Sequence, residues 1–183
     1  LGIVTTGKSY LDVLQALEYL GLDEKACADI GIRVYKVGMS WPLEPVGIAA
    51  FARGLEDIVV VEEKKAFIER QMKEYFYNWP AGWGARPSIV GKYDEAGEWI
   101  LPSTGELTPA TIAGVIGQRL LRLGLVEGGQ AERIQQDRLF AAGGLSPRPG
   151  GGPALAAANM ACLVPGGDPA LDALAAVLRA AAL

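Results

Sequence analysis

Apolar and polar positions along the first two-thirds of the chain switch between two periods, and the switching marks out its elements. "GIVTT" is a short β-branched run that reads as a buried strand ending at Gly7. Leu11, Leu14, Leu17 and Leu20 follow at helical spacing, with Ser9 and Asp12 as a capping-box-like start and Gly21 as the stop. "IRVYKVG" predicts a second strand, which "WPLEP" breaks. Pro45 then starts a short helix over "VGIAAFARGL".

"DIVVVEE" predicts a third strand that turns abruptly acidic. "AFIERQMKEYFYNW" predicts an amphipathic helix, with Phe67, Ile68, Met72, Tyr75, Phe76 and Trp79 on one broad face. Glu69 and Lys73 form an i,i+4 pair on its opposite side. "PSIVGKYD" and "EWILP" predict two short strands around the turn "DEAGE". "LTPATIAGVIGQRLLRLG" predicts a helix capped by Thr108, opened by Pro109 and ended by Gly124.

Strands apolar on both faces and separated by helices predict an α/β fold of three layers, a mostly parallel sheet with helices on both faces. That domain takes residues 1–125. Residues 126–183 form an Ala/Gly/Pro-rich extension that reads as partly helical. In it "SPRPGGGP" has linker composition, and "DPALDALAAVLRAAAL" carries Asp168 as N-cap and Pro169 at the first helical position.

Composition narrows the function. Half of the 183 residues are hydrophobic and the mean hydropathy is +0.21, which predicts surface meant to be covered and hence self-association. A net charge of −4 without a basic stripe argues against nucleic acid. No apolar run reaches the roughly 18 residues of a membrane span, and no signal-peptide pattern opens the chain. The first residue is Leu rather than Met, which is the expectation for a fragment. Cys27 and Cys162 stand far apart, as reduced thiols of a cytoplasmic protein do. There is no histidine, so Ser-His-Asp and Cys-His catalysis and His-bound metals are excluded. No residue of the segment reads as catalytic, and none as a metal ligand.

One motif argues for a ligand. Gly2, Gly7, Lys8 and Ser9 satisfy G-x-x-x-x-G-K-[ST], the form of a phosphate-cradling P-loop. The four residues between the glycines are Ile3, Val4, Thr5 and Thr6, stiff strand formers where a flexible loop is needed. The competing reading is a strand-to-helix turn with Ser9 as cap. That turn still places a helix N-terminus where ligands gather in open α/β sheets, so Gly7, Lys8 and Ser9 remain an anion-site candidate. Glu62 and Glu63 alternate across their strand and cannot act on one atom; with Lys64 and Lys65 they read as a solvated or interface charge cluster. The aromatic run "EYFYNWPAGW" lacks a basic groove and reads as core and interface packing.

Four stretches, "GIVTTGKSYLDVLQALEYLG", "KVGMSWPLEP", "VVVEEKKAFIERQMKEYF" and "LPSTGELTPATIA", occur in an order that resembles indolepyruvate ferredoxin oxidoreductases, particularly their long fused bacterial form. The resemblance covers roughly residues 1–122. It implies the domain similar to the transketolase C-terminal domain, itself a three-layer α/β sheet. Such enzymes oxidatively decarboxylate aryl-2-oxoacids with coenzyme A to acyl-CoA and reduce ferredoxin. They use thiamine diphosphate, Mg2+ and [4Fe–4S] clusters, none of which the resemblance places on this segment. It therefore implies a structural, non-catalytic domain, inactive alone, with other domains or subunits of the same enzyme as partners. The alternative is a small nucleotide-binding protein using Gly7, Lys8 and Ser9.

Overall fold

The computed structural model describes residues 1–126, and the extension predicted over 126–183 lies outside them but for Val126. Four parallel strands build the sheet: β1 (Gly2–Thr6), β2 (Arg33–Val37), β3 (Asp57–Val61) and β4 (Ser88–Val90). Their order is β2-β1-β3-β4. Ile3 pairs in register with Val34 on one side and Val59 on the other, which fixes β1 and β3 as the central strands.

Side-chain alternation along the strands feeds two separate cores. Ile3, Val59 and Val61 point to a face covered by α1 (Ser9–Tyr19), α2 (Glu24–Asp29) and α5 (Pro109–Arg122). Val4, Ile58 and Val60 point to the opposite face, covered by α3 (Pro45–Ala52) and α4 (Phe67–Tyr75). All five side chains of β3 are buried, because a central strand between two helical layers has no solvent face. The fold is the expected three-layer α/β sheet.

Helix ends follow local chemistry. The Thr108 hydroxyl accepts the Thr111 N–H at the start of α5, and Pro109 occupies the first turn. Glu44 caps α3 by accepting the N–H groups of Val46 and Gly47. At the end of α1, Gly21 takes φ +70°, and the N–H groups of Gly21 and Leu22 return to the Glu18 and Leu17 carbonyls. That left-handed turn satisfies carbonyls that the helix leaves open.

Four details differ from the sequence pattern. The buried stripe of α1 is Val13, Ala16, Leu17 and Leu20, while Leu11 is 64% exposed. The helix starts at a different rotation from the one a Leu-only count implies, since Val13 and Ala16 also serve as core. In α4, Ile68, Met72 and Phe76 are buried but Phe67 is exposed, and Glu69 is buried rather than solvated. "EWILP" forms no strand; its only ladder contact is an isolated antiparallel bridge from Trp99 to Tyr93. The short helix α2, capped by Asp23 accepting the Ala26 N–H, has no counterpart in the periodicity. Six residues carry too little pattern to signal it.

Candidate functional site at the carboxyl edge of the sheet

In a sheet ordered β2-β1-β3-β4, the chain reverses its direction of winding between β1 and β3. The connection after β1 leads to α1 on one face, and that after β3 leads to α4 on the other. The divergence opens a crevice at the carboxyl ends of these strands, where ligands bind in open α/β folds. Gly7, Lys8 and Ser9 line one side of it, and Glu62, Glu63 and Lys64 the other.

The P-loop spacing resolves into a strand. Residues 2–6 are β1 itself, so the stretch that would wrap a phosphate is hydrogen-bonded on both sides. Gly7 turns the chain at φ +54°. Lys8 rather than Ser9 occupies the cap position of α1, and no side chain caps the helix. Ser9 is buried, so the expected Ser9 cap does not form. The Lys8 Nζ bridges two carboxylates, Asp12 Oδ2 and Glu106 Oε1, each at 3.0 Å. Its hydrogen bonds to Asp12 and then Glu106 raise its pKa.

Glu62 is also not the solvated charge its sequence neighbours imply. It is 4% exposed, and its carboxylate accepts three backbone N–H groups of the first turn of α4: Phe67 at 3.0 Å, Ile68 at 2.9 Å and Glu69 at 3.1 Å. It caps that helix from five to seven residues upstream, meeting the positive end of the helix dipole. Burial pushes its pKa up, against the lowering effect of the three N–H donors. Glu63 is half-buried, whereas Lys64 and Lys65 are exposed as expected.

The crevice is strapped by the segment that leads into α5. Lys92, 3% exposed, donates from Nζ to the Glu62 carbonyl at 2.6 Å and to the Pro102 carbonyl at 3.0 Å. Lys64, held in the left-handed region at φ +55°, donates from Nζ to the Gly105 carbonyl at 3.0 Å. With the Lys8–Glu106 pair, these lysines pin residues 102–106 over the strand ends, and Leu101 and Leu107 anchor both flanks in the core. Glu69 supports Lys92 by accepting its backbone N–H at 3.0 Å, and takes Lys73 at 2.6 Å. Desolvation lowers the Lys92 pKa, against the neighbouring charges of Glu62, Glu69 and Glu63. Sequence reasoning passed over Lys92; a lone Lys straight after the apolar run "SIVG" was its available signal.

The site residues therefore engage each other. Among the described residues no group of three or more His, Cys, Asp or Glu can hold a metal ion. Cys27 is buried beside the Leu22 carbonyl, and burial pushes its thiol up to about 11, so it offers no thiolate ligand. These residues do not fit a cluster or a metal-bound diphosphate. No helix among them is long and apolar enough to cross a membrane.

The molecule is thus a doubly wound α/β domain whose ligand edge is closed by its own chain. Comparison with known proteins gives it a family. The family model described as "Indolepyruvate oxidoreductase domain" matches residues 1–139, and the chain belongs to that family. It is 32% identical over 92 residues to the indolepyruvate oxidoreductase subunit IorA of Thermococcus kodakarensis, covering 50% of this chain and 12% of that relative. It is 28% identical over 117 residues to the IorA subunit of Methanothermobacter marburgensis, covering 64% of this chain and 17% of that protein. With the Pyrococcus abyssi subunit it shares 32% over 78 residues, 43% of this chain and 11% of the relative. The chain thus spans a small fraction of the length of the curated relatives it matches. No solved structure matches it.

Proposed function

We propose that the chain is a structural, non-catalytic domain of an indolepyruvate oxidoreductase subunit, supporting the domains that carry the chemistry. The intact enzyme, in this reading, works in the cytoplasm, oxidatively decarboxylates aryl-2-oxoacids with coenzyme A and passes electrons to ferredoxin. Thiamine diphosphate would supply the electron sink for decarboxylation, and Mg2+ and [4Fe–4S] clusters would sit with it on other domains or subunits. The family match over residues 1–139, to subunits far longer than the stretch matched, carries this reading.

The closed crevice supports it, because Lys8, Lys64 and Lys92 are spent on the protein's own carbonyls and carboxylates. Self-association is a separate expectation from composition, checked by light scattering of the 183-residue chain. The functional test is calorimetry of that chain with thiamine diphosphate and Mg2+, beside a 2-oxoacid- and CoA-dependent ferredoxin-reduction assay of the assembled enzyme with all its subunits. The proposal expects no binding by the chain and activity in the assembled enzyme. Micromolar binding by the chain alone would overturn the structural role.

A further inference from the structure

The connections leaving the carboxyl ends of β1, β2 and β3 each expose a large apolar side chain: Leu11, Met39 with Trp41, and Phe67. Trp41 is 70% exposed, and Met39 and Phe67 are each 57% exposed. The last three are neighbours, because one Gln71 amide nitrogen donates both to the Ser40 carbonyl at 2.8 Å and to the Phe67 carbonyl at 3.0 Å. Gln71 Oε1 accepts the Leu43 N–H at 2.8 Å, and the Tyr75 hydroxyl donates to the Leu43 carbonyl at 3.0 Å. Trp41 is thus presented by a loop fastened to α4 on both sides. Such preorganisation lowers the entropic cost of binding.

Aromatic and Met side chains are the residues enriched at protein interfaces. The surroundings carry both signs: Lys65 and Arg70 are exposed, and so are Glu44 and Glu74. Three side chains cover a few hundred Å2 at most, short of the roughly 800 Å2 per partner of a stable complex between separate molecules. A patch of that size suffices when its partner is tethered and the effective concentration is high. The relatives offer such a partner, since the matched stretch is only 12% of the Thermococcus subunit.

We infer that Met39, Trp41 and Phe67 dock another domain of the same polypeptide through a complementary apolar surface. The inference rests on the proposed membership of a longer subunit. In the complete polypeptide, Trp41→Glu with Phe67→Glu lowers the Tm of this domain by about 5 °C or more. In the 183-residue chain the same pair leaves Tm unchanged, because both side chains already face water.

A benzophenone amino acid at position 41 of the otherwise wild-type polypeptide should cross-link within the same chain, outside residues 1–126 and beside apolar residues. Equal shifts in both proteins, no shift in either, or cross-links only between copies would overturn the docking surface. The oxidoreductase assay separates the two failures. Activity without the cross-link removes the surface alone, and absence of activity removes the functional reading beneath it.

Discussion

Arg119 Nε lies 2.5 Å from Asp57 Oδ2, joining the last turn of α5 to the first residue of β3. Both side chains are almost wholly buried, at 7% and 3% exposure. The other guanidinium nitrogens grip Glu95 at 2.9 and 2.5 Å, and Glu95 also takes the Ser88 hydroxyl at 2.7 Å. One arginine thus staples α5, β3 and the turn after β4 at the amino edge. Removing it strands a buried carboxylate, and breaking a buried pair costs about 3–5 kcal/mol. Arg119→Met should lower the unfolding free energy by that order in urea titrations. Arg122→Ala, at an exposed pair with the same Glu95, should cost under about 1 kcal/mol.

Acid and base act on the two edges with opposite sign. Arg119, aided by Ser88 and Arg122, holds the Glu95 carboxyl well below the usual carboxylate range. Its contribution is therefore present above the unfolded value of about 4.3 and lost as pH falls below it. Glu62 is the reverse case, because burial raises its folded pKa. The folded state then holds that proton more tightly, and stability declines as pH rises from about 4.3 through the folded value. Urea midpoints measured from pH 2 to 7 should show Glu95→Gln flattening the acid limb. Glu62→Gln should flatten the opposing limb and, through the weakened cap, cost about 1–2 kcal/mol.

The strands were legible because β1 and β3 are continuous β-branched runs, which only a sheet covered on two faces buries completely. Thr108, Pro109 and Gly124 marked α5 for an equally local reason: capping uses residues adjacent in sequence. The site was far less legible. Glu62 looks like half of a charged cluster in "EEKK", and only the arrival of α4 above it supplies the three N–H groups that bury it. Lys8 invites a phosphate until Glu106, almost a hundred residues away, is folded onto it. Local pattern reports which element a residue joins. The partners that decide its chemistry come from the topology.

Two glycines separate backbone strain from steric contact. Gly21 has φ +70°, and a Cβ built there meets nothing within 4 Å. Gly91 has ordinary φ, but a side chain there would overlap the Glu69 carboxylate that holds the Lys92 N–H. Gly21→Ala should cost about 1 kcal/mol, the ordinary penalty for a left-handed non-glycine residue. Gly91→Ala should cost more, since Glu69 is buried and must give up its bonds to Lys92 and Lys73 to move aside. Chemical denaturation of the two variants tests the order. A smaller loss at Gly91 would mean that the Glu62–Lys92–Glu69 group yields easily.

Lys8 provides the sharpest check on the opening motif. A polyphosphate at the β1–α1 turn would have to take Lys8 from Asp12 and Glu106, and then sit beside two carboxylates. The turn already uses its carbonyls internally, Gly7 receiving the Tyr10 N–H and Lys8 those of Leu11 and Asp12. The residues that should wrap the phosphate are paired with β2 and β3. Titration calorimetry with MgATP should therefore give no saturable heat for the wild-type chain, and the same flat trace for Lys8→Ala. Saturable binding that disappears in Lys8→Ala would restore the nucleotide reading. It would also require Lys8 to part from Asp12 and Glu106, and so residues 102–106 to lose one of the contacts that hold them over the strand ends.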